Sequence, residues 1–181
     1  MLLLRVQAGS HLYGYATDAS DDDYFEVHTE PFMIATRDAP RQARQTIVDG
    51  IDTLQMTFSN FMERAAAGSH QALDAMFAAE PIVDYISALR ASYRTGYEVI
   101  PAYERIITKF AAQTGFRKQR HALRALFNLQ DMLDVGRYQP ELSTERIAFI
   151  NEKAHLPYVE FRELLIQLSP IELAHALPEQ V

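Results

Sequence analysis

The sequence predicts an α+β fold, and three observations carry that expectation. Strand-like patterns gather in the first third of the chain, at residues 2–8, 22–28 and 47–57. From Phe58 onward the apolar spacing changes to a helical period. Strands and helices do not alternate as repeated βαβ units, and there is no internal repeat or low-complexity tract.

In chain order, residues 2–8 form a short apolar run interrupted by Arg5 and ended by Gly9, the pattern of a buried strand. Residues 11–16 fit a short helix or a turn, and Asp18 to Asp22 is a polar break. Residues 22–28 alternate, with Tyr24, Phe25 and Val27 among charged neighbours. Residues 35–46, with Pro40, three arginines and two glutamines, read as a mobile loop, and residues 47–57 as a further short strand holding Asp52. Phe58, Phe61, Met62 and Ala65 lie at helical spacing, and Gly68-Ser69 ends that helix. Leu73, Met76 and Phe77 open another. Further helices are expected over 82–95, 97–113, 116–135, 143–153 and 157–168, broken at Gly96, Gly115, Gly136 and Pro140. A boundary is expected near Glu80-Pro81.

Composition removes several function classes. Of 181 residues 48% are hydrophobic, enough to build a core, and the charged fraction of 23% is ordinary. The net charge of −7 gives no support to a non-specific nucleic-acid or membrane binder. The absence of cysteine excludes a disulfide framework, a thiolate zinc site and a cysteine nucleophile. The opening MLLLRVQAGSH is apolar over too few residues for a signal or a membrane span, and no later stretch reaches spanning length. A soluble, cytoplasmic protein is expected.

The segment from Gly9 to Val27, GSHLYGYATDASDDDYFEV, carries the chemistry. Gly9 permits close backbone approach, and Ser10 offers a hydroxyl and an amide. A helix starting in 11–16 would direct free N–H groups at phosphate. On a strand, residues i and i+2 share a face, so Asp21 and Asp23 would point one way and Asp22 the other. Paired carboxylates repel unless a cation lies between them. Mg²⁺ takes a few carboxylates together with substrate phosphates and water. Taken singly, a Gly-Ser or an Asp-rich turn is common in solvated loops. Together, between two strand patterns, they are far more specific.

The residues Gly9, Ser10, Tyr13, Gly14, Ala16, Thr17, Ser20, Asp21 and Asp23 resemble the signature of the polymerase-β-type nucleotidyltransferase superfamily. In its fuller form the segment resembles a subgroup of predicted bacterial and phage nucleotidyltransferases. The resemblance implies a small mixed β-sheet nucleotidyltransferase core over residues 1–80. A helical bundle over 81–181 would then complete a cleft for nucleotide and acceptor. It implies that Ser10 contacts triphosphate, with Gly9, His11 and Tyr13 beside it, and that Asp21 and Asp23 bind Mg²⁺ or Mn²⁺. It departs at Asp22, where an apolar or aromatic residue is usual. The family also uses a third carboxylate on a neighbouring strand, which binds metal and activates the attacking hydroxyl. The candidates are Asp52, inside the strand pattern, and Asp49, which precedes Gly50 as a turn residue does. The stretch from Gly68 to Phe77 resembles the subgroup's second helix, with Asp74 in place of a glutamate.

The run FRKQRHALRALFNLQDML is the second informative element. On a helical wheel Phe116, Ala122, Leu123, Leu126, Phe127 and Leu133 fall on one side, and Arg117, Lys118, Arg120, His121 and Arg124 broadly on the other. Positive charge at a helix start opposes the helix dipole, so another partner should compensate it. Lys118, His121 and Arg124 match a Lys-x-x-His-x-x-Arg of the resembled subgroup, which implies contacts to nucleotide phosphate. An ordinary solvated face is the plainer account. His28, His70, His155 and His175 have no spacing that reads as a metal site.

The expected activity is therefore metal-dependent transfer of a nucleoside monophosphate from a nucleoside triphosphate to an acceptor hydroxyl, with release of pyrophosphate. The acceptor is open: a tRNA end, a protein, a small molecule or a second nucleotide. Two alternatives belong to other classes: a nucleotide-binding module of the same fold without chemistry, and a helical interaction protein in which the motif is coincidence.

Overall fold

The computed structural model describes residues 1–18, 20–29, 43–78, 84–113 and 115–178. The chain divides into two compact units, Met1–Tyr93 and Arg94–Val181. The expected boundary at Glu80-Pro81 and most of the expected loop at 35–46 lie outside the described residues.

The first unit holds a mixed sheet followed by helices, the α+β order expected. Among the described residues the strands are β1 (Leu2–Gln7), β2 (Asp23–His28), β3 (Ala43–Val48) and β4 (Ile51–Thr57). Their spatial order is β1-β2-β4-β3. β2 runs antiparallel to β1 and parallel to β4, and β3 pairs antiparallel with β4. The single strand expected over 47–57 is in fact divided. Asp49 (φ 51°) and Gly50 (φ 81°) make a tight turn between β3 and β4. Two consecutive positive-φ residues are what a two-residue hairpin requires, and Asp-Gly is a favoured pair for it. Residues 43–46, expected in a loop, belong to β3 because this hairpin pairs them with β4.

Strand parity puts Leu4, Val6, Phe25, Val27 and Met56 on one face, and all five are buried. On that face pack α2 (Phe58–Ala66) and α3 (His70–Phe77), whose Phe61, Ala65, Leu73 and Met76 are fully buried. The Phe25 and Phe61 rings meet edge to face at 6.3 Å. Thr57 caps α2 by accepting a hydrogen bond from the Asn60 amide at 3.3 Å. α4 (Asp84–Ser92) follows, and Arg90 on it donates to the Met76 carbonyl at 2.7 Å.

The second unit opens with a tight turn at Tyr97–Val99 and contains α5 (Ile100–Ala111), α6 (Phe116–Val135), α7 (Thr144–Lys153) and α8 (Tyr158–Leu168). α6 packs against α5, α7 and α8. Gly136 ends it in the left-handed conformation (φ 67°), as its place in the sequence predicts. From Ala122 to Leu129 every residue of α6 is buried. A helix buried all round is the centre of its bundle. Among the described residues no helix is long and apolar enough to cross a membrane.

Candidate active site

β1 delivers the chain to a loop clamped against the start of β2: the Ala8 amide donates to the Asp23 carbonyl at 2.8 Å. Gly9 follows with φ 63°, a conformation that suits glycine. Its α-carbon lies against the Asp23 side chain. A β-carbon there would stand 3.1 Å from Asp23 Cγ and 3.3 Å from Asp23 Cβ, and would collide with Oδ2. Two constraints therefore fix this residue, the backbone angle and the carboxylate beside it.

α1 (Gly9–Leu12) is a single turn. The short helix or turn expected over 11–16 thus begins earlier, at Gly9, and is too short to carry much of a dipole, which sums over aligned peptides. What the turn offers is its first amides, which have no acceptor within the helix. Ser10 is half-buried in this turn. Tyr13 closes it, its amide donating to the Gly9 carbonyl at 3.3 Å. The Tyr13 ring is buried, and its hydroxyl donates to Asp74 Oδ2 on α3 at 2.5 Å. Tyr13 thus has an anchoring place in the fold, and Asp74, whose role the sequence left undefined, is its acceptor.

The acidic run is divided by the sheet. β2 begins at Asp23, and Asp21 lies two residues ahead of it, exposed. The face-sharing expected of Asp21 and Asp23 requires strand geometry at both, and it begins only at Asp23. The partner that shares a face with Asp23 is Asp52. These two are directly opposite in the parallel register, on strands about 4.8 Å apart. Asp52 Oδ2 accepts a hydrogen bond from Gln45 Nε2 at 2.5 Å. Its Oδ1 is buried and has no hydrogen-bond partner among the described residues. Asp49, the other candidate for the third carboxylate, sits exposed in the hairpin turn.

Asp22, which the resemblance left as a departure, has its own neighbours. Its Oδ1 accepts from Gln7 Nε2 at 3.3 Å and lies 3.6 Å from His11 Nε2. Its carbonyl accepts from the Asp52 amide at 3.1 Å, extending the β2–β4 ladder by one residue. Neither Gln7 nor Gln45 carries a motif, so only strand pairing reveals them.

The opposite face of the sheet carries a second polar group centred on Glu26. Gln55 Nε2 donates to Glu26 Oε2 at 2.6 Å, His28 Nε2 lies 3.0 Å from the same oxygen, and Arg5 Nε lies 3.7 Å from Oε1. Burial raises the Glu26 pKa. The hydrogen bonds from Gln55 and His28 and the charges of His28 and Arg5 outweigh burial and bring it below its ordinary value.

The basic residues of α6 belong to the second unit. Lys118 and His121 lie along Phe110 of α5, the ammonium 5.7 Å and the imidazole 5.0 Å from its ring centre. Arg120 stacks over Phe116, which is itself stacked on His155 at 4.2 Å. Arg124, which the wheel sets opposite the apolar side, is 1% exposed, because α6 is buried all round at this point. Of the basic set, Arg117 is the exposed member.

Among the described residues no three His, Asp or Glu side chains are gathered as a ready-made metal cage. No protein-family model matches the chain, and no curated protein matches it.

Proposed function

We propose that the first unit carries a divalent-metal-dependent nucleotidyl-transfer site at the mouth of β1, β2 and β4. The observation that carries this reading is the meeting of three parts. The Gly9 backbone is pressed onto the Asp23 carboxylate, and Asp52 stands opposite Asp23 in register. A small-residue turn and an acidic pair thereby share one end of the sheet.

The donor set suits Mg²⁺ or Mn²⁺. Hard oxygens are what these ions take, and Mg²⁺ is commonly held by one or two carboxylates plus substrate phosphates rather than by an all-protein cage. Asp23 and Asp52 would hold it, with Asp21 just ahead of the strand, and the buried Asp52 Oδ1 is a donor in need of a partner. When bound, the metal would offset phosphate charge and polarise the α-phosphorus.

The chain's own groups account for the rest. Ser10 and the amides of the α1 turn donate hydrogen bonds to phosphate oxygens, and Gly9 lets the polyphosphate approach the backbone. His11, held beside Asp22, lines the same turn. Asp52 accepts the proton of the acceptor hydroxyl. The hydroxyl oxygen forms the new bond to the α-phosphorus, and the bond to pyrophosphate breaks. Positioning and charge supply the rate, with little covalent work asked of the protein. Acceptors in keeping with this chemistry are a tRNA end, a protein hydroxyl or a small molecule. The net charge of −7 weighs against a long polyanion.

The deciding experiment incubates the protein with each labelled nucleoside triphosphate and Mg²⁺, with and without cell extract. A labelled product together with pyrophosphate supports transfer. Absence of label under every condition, with no nucleotide binding, removes the reading. A binding module of the same fold without turnover is the alternative outcome. It expects Mg²⁺-dependent stabilisation by triphosphate without product.

A further inference from the structure

α3 is an apolar helix with one carboxylate sealed into it. Ala72, Leu73, Ala75 and Met76 are fully buried, and Asp74 among them is 4% exposed. A buried carboxylate is costly unless hydrogen-bonded, so its place in this helix calls for a partner. Tyr13, itself 5% exposed and 61 residues away in sequence, donates its hydroxyl to Asp74 Oδ2.

The other end of Tyr13 explains the consequence. Its amide closes the turn that begins at Gly9, and the next two amides continue the closure. Gly14 donates to the His11 carbonyl at 3.2 Å and Tyr15 to the Ser10 carbonyl at 3.1 Å. The Tyr15 ring rests 5.6 Å from the Tyr13 ring. A single helical turn has no cooperative stability of its own, because the nucleation cost is not recovered over so few residues. The shape of residues 9–15 therefore depends on tertiary anchors. Among them are the clamp of Ala8 and Gly9 on Asp23 and the Tyr13–Asp74 bond.

We propose that Asp74 is a positioning residue: through Tyr13 it fixes the turn whose amides and Ser10 receive the triphosphate. This rests on the nucleotidyl-transfer reading for its ligand, but not for its geometry. The bond joins the polyphosphate turn to the helix that packs under β2, so the turn and the acidic pair keep a common frame.

The test uses the full chain with Tyr13→Phe, Asp74→Asn and the double variant Tyr13→Phe/Asp74→Leu. Replacing both partners by apolar groups of similar shape is close to neutral for stability, so the double variant separates anchoring from folding. Amide hydrogen exchange at Tyr13, Gly14 and Tyr15 is expected to quicken by about tenfold in the double variant, while exchange in β2 and β4 stays as in the wild type. Asp74→Asn keeps an acceptor for the hydroxyl and is expected to restore slow exchange at those amides. In an active preparation, KM for the nucleoside triphosphate rises by about tenfold in the double variant while kcat changes less, as for a lost binding interaction. Wild-type exchange at 13–15 in the double variant would overturn the proposal. If the double variant does not fold, Tyr13→Phe, which removes only the hydroxyl, is read by the same exchange measurement. A wild-type protein that binds no nucleotide would remove the functional reading and leave the exchange result to decide the anchoring.

Discussion

The contact between Gly9 and Asp23 makes a prediction that needs no assumption about substrate. Gly9→Ala meets two costs. The first is the left-handed backbone at φ 63°, which for a residue with a β-carbon is about 1–2 kcal/mol. The second is displacement of the Asp23 carboxylate, since the new methyl would stand 3.1 Å from Cγ and collide with Oδ2. Driving that side chain off its rotamer adds roughly 0.5–1.5 kcal/mol. The total is about 1.5–3.5 kcal/mol, or roughly 6–28 °C in Tm for a unit of this size. Gly50→Ala is the matched control. Gly50 has φ 81°, yet nothing lies within 4 Å of its added β-carbon, so it meets the backbone cost alone. Urea and thermal denaturation of both variants measure the difference, expected at about 1 kcal/mol in favour of Gly50→Ala. Equal losses at the two glycines would mean that Gly9 does not touch Asp23, and the proposed site would lose its central contact.

Asp23→Asn and Asp52→Asn are each expected to lower Mg²⁺-dependent transfer at least about a hundredfold, the equivalent of about 3 kcal/mol of charge stabilisation, with folding retained by circular dichroism. Full activity in both would relocate the site. A nucleoside triphosphate at a hundred times its Kd, with Mg²⁺, is expected to stabilise the wild type by about 2.7 kcal/mol, and Asp23→Asn is expected to abolish that gain in a thermal-shift assay. Glu26 has its pKa lowered on folding, so the stability it contributes is present above its ordinary value of 4.5 and is lost as pH falls through its lower folded value. Glu26→Gln is therefore expected to be less stable than the wild type near neutrality and to converge with it in acid, as followed by denaturation across pH. A constant difference at all pH values would show that the carboxylate charge is not what matters.

The sequence carried the fold class and the helices because period and breakers act locally. The expected helix over 116–135 and the α6 of the structure coincide, since Gly115 and Gly136 delimit a long periodic run. What was hidden depended on pairing. The Asp49-Gly50 turn was visible as a turn, but whether residues 43–46 formed a strand depended on β4 beside them. Asp52 was a candidate from its place in a strand pattern, whereas its register opposite Asp23 is a property of two strands together. Arg124 shows the limit of a wheel: it set this residue opposite the apolar side, but the surroundings of a helix are decided by its neighbours. Tyr13 shows the converse, since a motif residue turned out to be an anchor that only the partner helix could reveal.

The same alternation that builds the core also separates the acidic run. Phe25 and Val27 face the helices, so Asp23, at the same parity, opens at the edge of that face beside Gly9 and Asp52. Asp22, the residue before β2, instead meets Gln7, whose partner across the β1–β2 pair is Tyr24 on the other face. Three consecutive carboxylates in one place would repel one another and resist joint ionisation. Its hydrogen bond from Gln7 takes Asp22 out of that competition. His11 in turn lies two residues after Gly9 with its Nε2 3.6 Å from Asp22 Oδ1, so the turn has Asp22 on one side and Asp23 on the other. A departure from the resembled pattern at Asp22 is thus compatible with a metal-binding pair at Asp23 and Asp52, because the added charge falls on the other face and has partners of its own.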